Sequence, residues 1–534
     1  MAPAPIFRFN EQREDVVRTV VDRVVDEARD PVLLLNDAAY HEIRRLETTS
    51  GPERDEIGRW RKLARALGTL DAAQTRDRLR EIVELHARDV AGNFDTRVYA
   101  LAANLAPAGL SMLLSPTMLM HHPLGELLKG EALSERIRTT GPIERIRRLT
   151  ELGTVIYVPT HLSNLDSPVF AWALESSGLP PVTYGAGKNL FTNPVLSFFM
   201  RNLGAYRVDR RLKHELYKQV LKTYSCVLVE RGFHSLFFPG GTRSRSGGVE
   251  RKLKLGLAGT GLEAYVRTSI RGAPRRVFFV PATINYLLTL EAETLVDDWL
   301  KEAGKARYII EDDESTRLGR IATFVRKLLQ MEGSCAVRFG APLDPFGNEV
   351  DDDGASHDAR GRPVDARSYV TSIDGGQLEM DPGRDAQYTR ELGEAIVRHY
   401  LRDTVAMPTH VVAAAAFARL RAASPSADLF QLVRRCDEAV IPQRDLLAEI
   451  GATQARLQEL ERRGEIVLST AVRGTTSLEL LGDAERAFNG YHTQAVLRSR
   501  DGGVALLDPK VLLYYQNRLV GHGVAWGGGQ GGGR

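Results

Sequence analysis

Of the twelve histidines in this sequence, only His161 has an aspartate five residues downstream, Asp166. The pair lies in Tyr157–Phe170, YVPTHLSNLDSPVF. An apolar run ends at Thr160, so His161 falls where a strand opens into a turn, and Ser163, Asn164 and Asp166 suit the first turn of a following helix. That puts an imidazole at the carboxyl edge of a sheet, where α/β folds tend to place ligands. A carboxylate one helical turn away can hold one ring nitrogen and leave the other as a general base. Spacing alone is a weak signal, because twelve histidines supply about one such pair by chance.

A second segment strengthens it. In Phe237–Gly248, FFPGGTRSRSGG, an apolar strand runs into a glycine turn that presents Arg243 and Arg245 at alternate positions. Gly240 and Gly241 let backbone amides approach an anion, as an oxyanion site or a tight turn, and the guanidinium groups can bind phosphate bidentately. Arg251, Lys252 and Lys254 follow and keep the region basic. A third segment, Leu203–Arg211 (LGAYRVDRR), is preceded by Gly185–Phe191 (GAGKNLF) and offers Lys188, Arg207, Arg210 and Arg211 near another strand. The fourth, Phe279–Tyr286 (FVPATINY), reads as a strand, and Pro281 predicts that it is not a central one.

The elements that must position these groups alternate between β-rich runs and helical stretches from about 150 to 345. The runs are Thr154–Pro159, Val182–Tyr184, Leu236–Pro239, Val277–Pro281 and Ala336–Phe339. The pattern predicts an α/β domain around a buried, largely parallel or mixed central sheet flanked by helices. Residues 1–95 read as a charged helical region in which Val16, Val17, Val20, Val21, Val24 and Val25 recur at helical spacing. Residues 346–388, rich in Gly, Asp and Pro, read as a flexible insertion. Residues 389–534 read as mostly helical, with a small helical or winged element near Pro442–Val467 and a Gly-rich tail.

A length of 534 residues exceeds one compact core, and 43% hydrophobic with 26% charged residues is an ordinary globular composition. A net charge of +3 gives no basic domain for nucleic acid. Cys226, Cys335 and Cys436 are far apart, which excludes a disulfide framework and fits a reducing compartment. No ligand spacing suggests a metal site; Asp351–Asp353 lacks the alternation of a calcium loop. No G-x-S-x-G elbow supports a serine hydrolase. Val98–Met120 holds no charged residue, but Asn104, Pro107, Gly109, Ser111, Ser115 and Pro116 interrupt it. A re-entrant or interfacial helical pair, or a buried hairpin, fits better than a clean span of roughly 20 apolar residues.

Together the four segments resemble, in order and spacing, the four blocks of the glycerolipid acyltransferase family. HLSNLD looks like its His-x4-Asp block, LGAYRVDR the second, FPGGTRSRSG the phosphate-binding third and VPATINY the fourth; VRFGAPLDP (Val337–Pro345) resembles the strand that closes such domains. LLYYQNRL (Leu512–Leu519) is similar to a tyrosine-rich C-terminal element of the larger glycerol-3-phosphate acyltransferases. The resemblance implies a catalytic domain over 96–345, with Val98–Met120 as its membrane contact. It implies His161 and Asp166 as catalytic residues, with the acceptor phosphate on Arg243 and Arg245, helped by Lys188 or Arg207. The implied donor is acyl-coenzyme A or acyl carrier protein, with no cofactor. The implied acceptor is glycerol 3-phosphate or, alternatively, lysophosphatidate, another lysophospholipid or dihydroxyacetone phosphate. The implied location is the cytoplasmic face of the cell membrane, peripheral or monotopic. An inert scaffold is the non-enzymatic alternative. One departure stands out: the third block usually carries a glutamate where this chain has Gly240.

Overall fold

Two runs, Thr154–Pro159 (β2) and Val277–Tyr286 (β6), have every residue buried. Only strands covered on both faces can read this way. The computed structural model, which describes residues 4–104, 136–188, 191, 194–303, 335–372, 376–434 and 440–526, places them side by side in a seven-stranded sheet. The other strands are Ile137–Thr140 (β1), Thr183–Gly187 (β3), Ala205–Val208 (β4), Ser235–Leu236 (β5) and Cys335–Phe339 (β7). Their order is β1-β7-β6-β2-β5-β3-β4. Strands β2 to β6 are mutually parallel, whereas β7 pairs antiparallel with β6 and parallel with β1, so the sheet is mixed.

Strand alternation sorts the core into two layers. Val155 and Tyr157 pack with residues of the helices Ile143–Leu152 and Asp166–Ser176. Ile156 and Val158 face the helices Ala258–Ile270 and Pro382–Arg402. On this second face Gly261 lets a helix approach closely: a Cβ there would lie 2.5 Å from Phe279 Cζ and 2.7 Å from Ile156 Cδ1.

Four N-terminal helices, Phe9–Asp26 (α1), Pro31–Glu47 (α2), Ile57–Ala66 (α3) and Ala72–Val90 (α4), share a core with the helix Glu215–Glu230. The six valines of α1 are all buried, and Arg23 clamps Glu230 with two bonds of 2.8 and 2.9 Å. At the other end of the chain the helix Pro408–Ala422 is buried on nearly every side. Its core includes residues of the helices Gln443–Arg462, Ser477–Tyr491, Pro509–Gln516 and Ala292–Ala303. A three-stranded antiparallel sheet of Val440–Pro442, Gly503–Leu506 and Leu497–Arg500 completes this region.

Two sequence expectations are corrected. Strand β6 is central despite Pro281. Its paired residues on the β7 side run from Ala282 to Tyr286 and resume only at the Phe279–Leu343 bridge. The proline carbonyl on that side accepts from Gly340, so the nitrogen without a hydrogen faces the point where the chain leaves the sheet after Phe339. Residues 346–388 are also structured where described, with short strands at Glu349–Val350, Ser356–His357 and Pro363–Val364 and a 3-10 turn at Ala366–Val370. Phe346 stacks on Tyr369 at 4.6 Å, which ties this stretch to the core. β1 escaped the sequence reading because its four residues, IRTT, include only one apolar side chain.

Most of Val98–Met120 lies outside the described residues, as do Cys436 and the glycine-rich tail; Cys226 and Cys335 are buried thiols. Among the described residues no helix is long and apolar enough to cross a membrane.

Gly261→Ala is expected to destabilise the chain. Overpacking against a ring held in the sheet costs about 1–3 kcal/mol, which exceeds the ~1 kcal/mol that alanine gains over glycine in a helix. Gly259→Ala, in the same helix with its nearest neighbour at 3.6 Å, is expected to be neutral or stabilising. Urea midpoints of the two variants check the difference.

Candidate active site

His161 follows β2, and the parallel pairing of β2, β5, β3 and β4 gathers the ends of four strands along one edge. The FPGG turn leaves β5 there, Lys188 follows β3, and Asp209 to Arg211 follow β4. The edge therefore collects three of the four sequence segments, and β6 supplies the fourth from beside β2.

His161 Nδ1 lies 2.7 Å from Asp166 Oδ2. A carboxylate only accepts, so Nδ1 carries the hydrogen and Nε2 is left as the basic nitrogen. The ring stacks on Phe238 with centroids 4.2 Å apart, which fixes its plane. Asp166 is the first residue of its helix and fully buried. Oδ2 also accepts from the amides of Leu162 at 2.6 Å and Ser163 at 2.9 Å, and Oδ1 accepts from the Tyr286 hydroxyl at 2.8 Å. Burial and the neighbouring Asp166 push the Tyr286 phenol well above its ordinary value, so it stays a donor.

The loop is held further by two carboxylates that the sequence reading did not single out. Glu250 Oε1 accepts from the His161 amide at 2.8 Å. Glu291 accepts from the Ser163 hydroxyl at 2.9 Å and the Asn164 amide at 3.0 Å. It also pairs with Arg243 at 3.2 Å. Burial raises the Glu291 carboxyl above its usual range, against the pull of Arg243 and the Asn164 amide. Neither glutamate belongs to a motif; Glu291 is legible only as an acid five residues after the fourth block, and Glu250 gives no local signal.

The third block closes over the first. Ser244 N donates to His161 O at 2.7 Å, so both backbone groups of the histidine are fixed from this side. Gly241 N donates to Phe238 O, which makes that residue a turn former whose amide points inward. Gly247 has φ +77°, and a Cβ there would sit 2.3 Å from Tyr514 O, so only glycine permits the C-terminal helix to touch this loop. Asn517 Nδ2 donates to Ser246 O, and Arg518 donates to Ile284 O and Asn285 Oδ1. The Tyr515 hydroxyl receives the Thr289 amide.

The sequence-predicted cations separate into three places. Arg243 is 16% exposed and joins the His161 loop through Glu291. Arg245 turns outward to Glu302 at 3.0 Å. Lys188 and Arg207 meet at Asp89 of α4, with Lys188 also near Asp209 and Arg207 over the Phe191 ring. Of the four, Arg243 is therefore the one that the structure ties to the dyad.

Residues 139–285 match the family model described as Acyltransferase, a span that begins in β1 and includes His161, Asp166 and the FPGGTRSR turn. This chain therefore carries an acyltransferase-like domain. A glycerol-3-phosphate acyltransferase of Pseudomonas aeruginosa is 33% identical to it over 208 residues, 38% of this chain and 23% of that protein. One from Pseudomonas fluorescens is 30% identical over 282 residues, 53% of this chain and 30% of that protein. The chain spans less than a third of the length of these curated relatives. A solved 1-acyl-sn-glycerophosphate acyltransferase from Thermotoga maritima aligns with 60% of this chain and 96% of its own, at 15% identity and a TM-score of 0.22.

Tyr286→Phe strips the buried Asp166 Oδ1 of its donor and is expected to cost about 1–3 kcal/mol of stability. The downfield proton resonance of His161 Nδ1–H should survive this change and vanish in Asp166→Asn; chemical denaturation and proton NMR at low temperature check the two halves.

Proposed function

We propose that this chain transfers a fatty acyl group from a thioester, carried by coenzyme A or acyl carrier protein, to a hydroxyl of glycerol 3-phosphate. The observation that carries the reading is His161 Nδ1 bonded to Asp166, which leaves Nε2 as a base in the loop that Glu291 joins to Arg243. In this mechanism Nε2 takes the proton of the acceptor hydroxyl as its oxygen attacks the thioester carbonyl. Asp166 holds the ring in the required tautomer and stabilises the imidazolium. The tetrahedral intermediate collapses with loss of the thiolate, which takes the proton back from Nε2. No cofactor takes part, and no covalent acyl-enzyme forms.

Arg243 binds the acceptor phosphate, exchanging its contact with Glu291 for the more highly charged group. Arg245, on the same loop, assists only by leaving its outward contact with Glu302. Lys188 and Arg207, already neutralised by Asp89 and Asp209, act as a structural cluster or a secondary contact. The oxyanion needs amide donors. Those of residues 161–164 already donate to carboxylates, and that of Gly241 to Phe238; the amide of Gly240, at the start of the third-block turn, is the donor proposed here. Val98–Met120 docks the enzyme on the cytoplasmic face of the membrane, where the acylated product partitions. The names of the Pseudomonas relatives support glycerol 3-phosphate as the acceptor.

The test is acyl transfer from palmitoyl-coenzyme A by purified chain with phospholipid vesicles, comparing glycerol 3-phosphate with lysophosphatidate. Transfer to glycerol 3-phosphate is expected, with a loss of about 10²–10⁴-fold in His161→Ala and a comparable loss in Asp166→Asn. Preference for lysophosphatidate would keep the mechanism and replace the acceptor. Normal turnover by His161→Ala would overturn the reading.

A further inference from the structure

Glycine at 240 and glutamate at 250 occupy one another's space. A Cβ built on Gly240 would lie 3.1 Å from Glu250 Oε1 and 3.2 Å from Glu250 Cγ. Contacts that short force the neighbour to move, and the neighbour here is the carboxylate that receives the His161 amide at 2.8 Å. A side chain at 240 would thus crowd Glu250 in the position from which it meets the histidine. Its other oxygen, Oε2, is out of contact with solvent and makes no hydrogen bond among the described residues. Burial raises the Glu250 carboxyl above its usual range, and the His161 amide and the buried Arg518 guanidinium act against that rise. Arg518 comes from the C-terminal segment that also anchors Ser246 and Asn285.

We propose that Glu250 is the positioning residue that sets the His161 backbone, and that positions 240 and 250 form one coupled pair in which the carboxylate enters from 250 because 240 has no side chain. The proposal rests on the acyl-transfer reading for its kinetic half only. The role is positional: Oε1 holds the amide of the residue whose ring does the chemistry and does not itself meet the acceptor. It follows that any acceptor oxygen at residue 250 serves, and that a methyl group at 240 harms the site through Glu250.

The experiment uses the full chain and the variants Glu250→Gln, Glu250→Ala, Gly240→Ala and the Gly240→Ala/Glu250→Ala double, with two readouts. The first is kcat and KM for glycerol 3-phosphate; the second is amide hydrogen exchange of the peptide containing His161–Asn164. Glu250→Ala is expected to lower kcat roughly 10- to 100-fold, the worth of a hydrogen bond to a charged group, with KM nearly unchanged and exchange accelerated. Glu250→Gln keeps an acceptor and should recover to within about threefold of the parent. Gly240→Ala should be damaging alone and nearly silent beside Glu250→Ala, because both act on the same contact. Additive losses, or Glu250→Ala with normal kcat and normal exchange, would overturn the proposal. If the parent chain transfers no acyl group while the exchange pattern holds, the functional reading fails and the positioning role stands.

Discussion

Four successive backbone amides, those of residues 161 to 164, all donate to carboxylates: Glu250, Asp166 twice, and Glu291. The rest of the site depends on this arrangement. Charge-assisted bonds of this kind are roughly twice as strong as neutral ones, and here they are made away from bulk water. They convert a loop, ordinarily the most mobile part of a domain, into a rigid seat for one imidazole. The cost is three acids drawn into the interior, a state tolerable only with hydrogen bonds and nearby cations. Those cations are Arg243 beside Glu291 and the more distant Arg518 for Glu250.

The same constraint explains why the loops from β2 and β5 are inseparable. Glu250 and Ser244, both downstream of β5, grip the amide and the carbonyl of His161. A histidine fixed at both backbone groups, stacked on Phe238 and bonded through Nδ1 has little freedom left, and pre-organisation of this sort suits the base role proposed for it. The parallel β2–β5 pairing brings the two loops together, and β6 adds Tyr286 behind the aspartate. The sheet thus contributes alignment, while the specificity of contact comes from side chains between strands.

Much of the central sheet was legible because buried parallel strands read as continuous apolar runs; TVIYVP and VFFVP announce themselves. The His–Asp pair was legible from spacing because both residues lie in one turn. The supporting acids were not. Glu250 and Glu291 reach the loop across 89 and 127 or more residues of chain, and no periodicity encodes a contact of that span. Pro281 misled for a related reason: a proline forbids a ladder bond, but only the structure shows on which side the ladder is already interrupted. Composition likewise marked 346–388 as loose, although Phe346 and Tyr369 pin it through stacking that a count of Gly and Asp residues cannot reveal. Arg245 and Lys188 have the chemistry for phosphate but are turned to acids that sequence distance concealed.

The C-terminal helix and the turn after it reach back over 271 residues to Ser246 and over 233 to Asn285. Closing loops of that length is slow compared with forming the strands and helices inside them. During synthesis on a ribosome the chain would therefore possess its sheet, its histidine and its aspartate well before the third-block turn had its final support. The segment 509–518 is among those that brace the site, so a chain stopped before it would carry the dyad but not the buttress behind it.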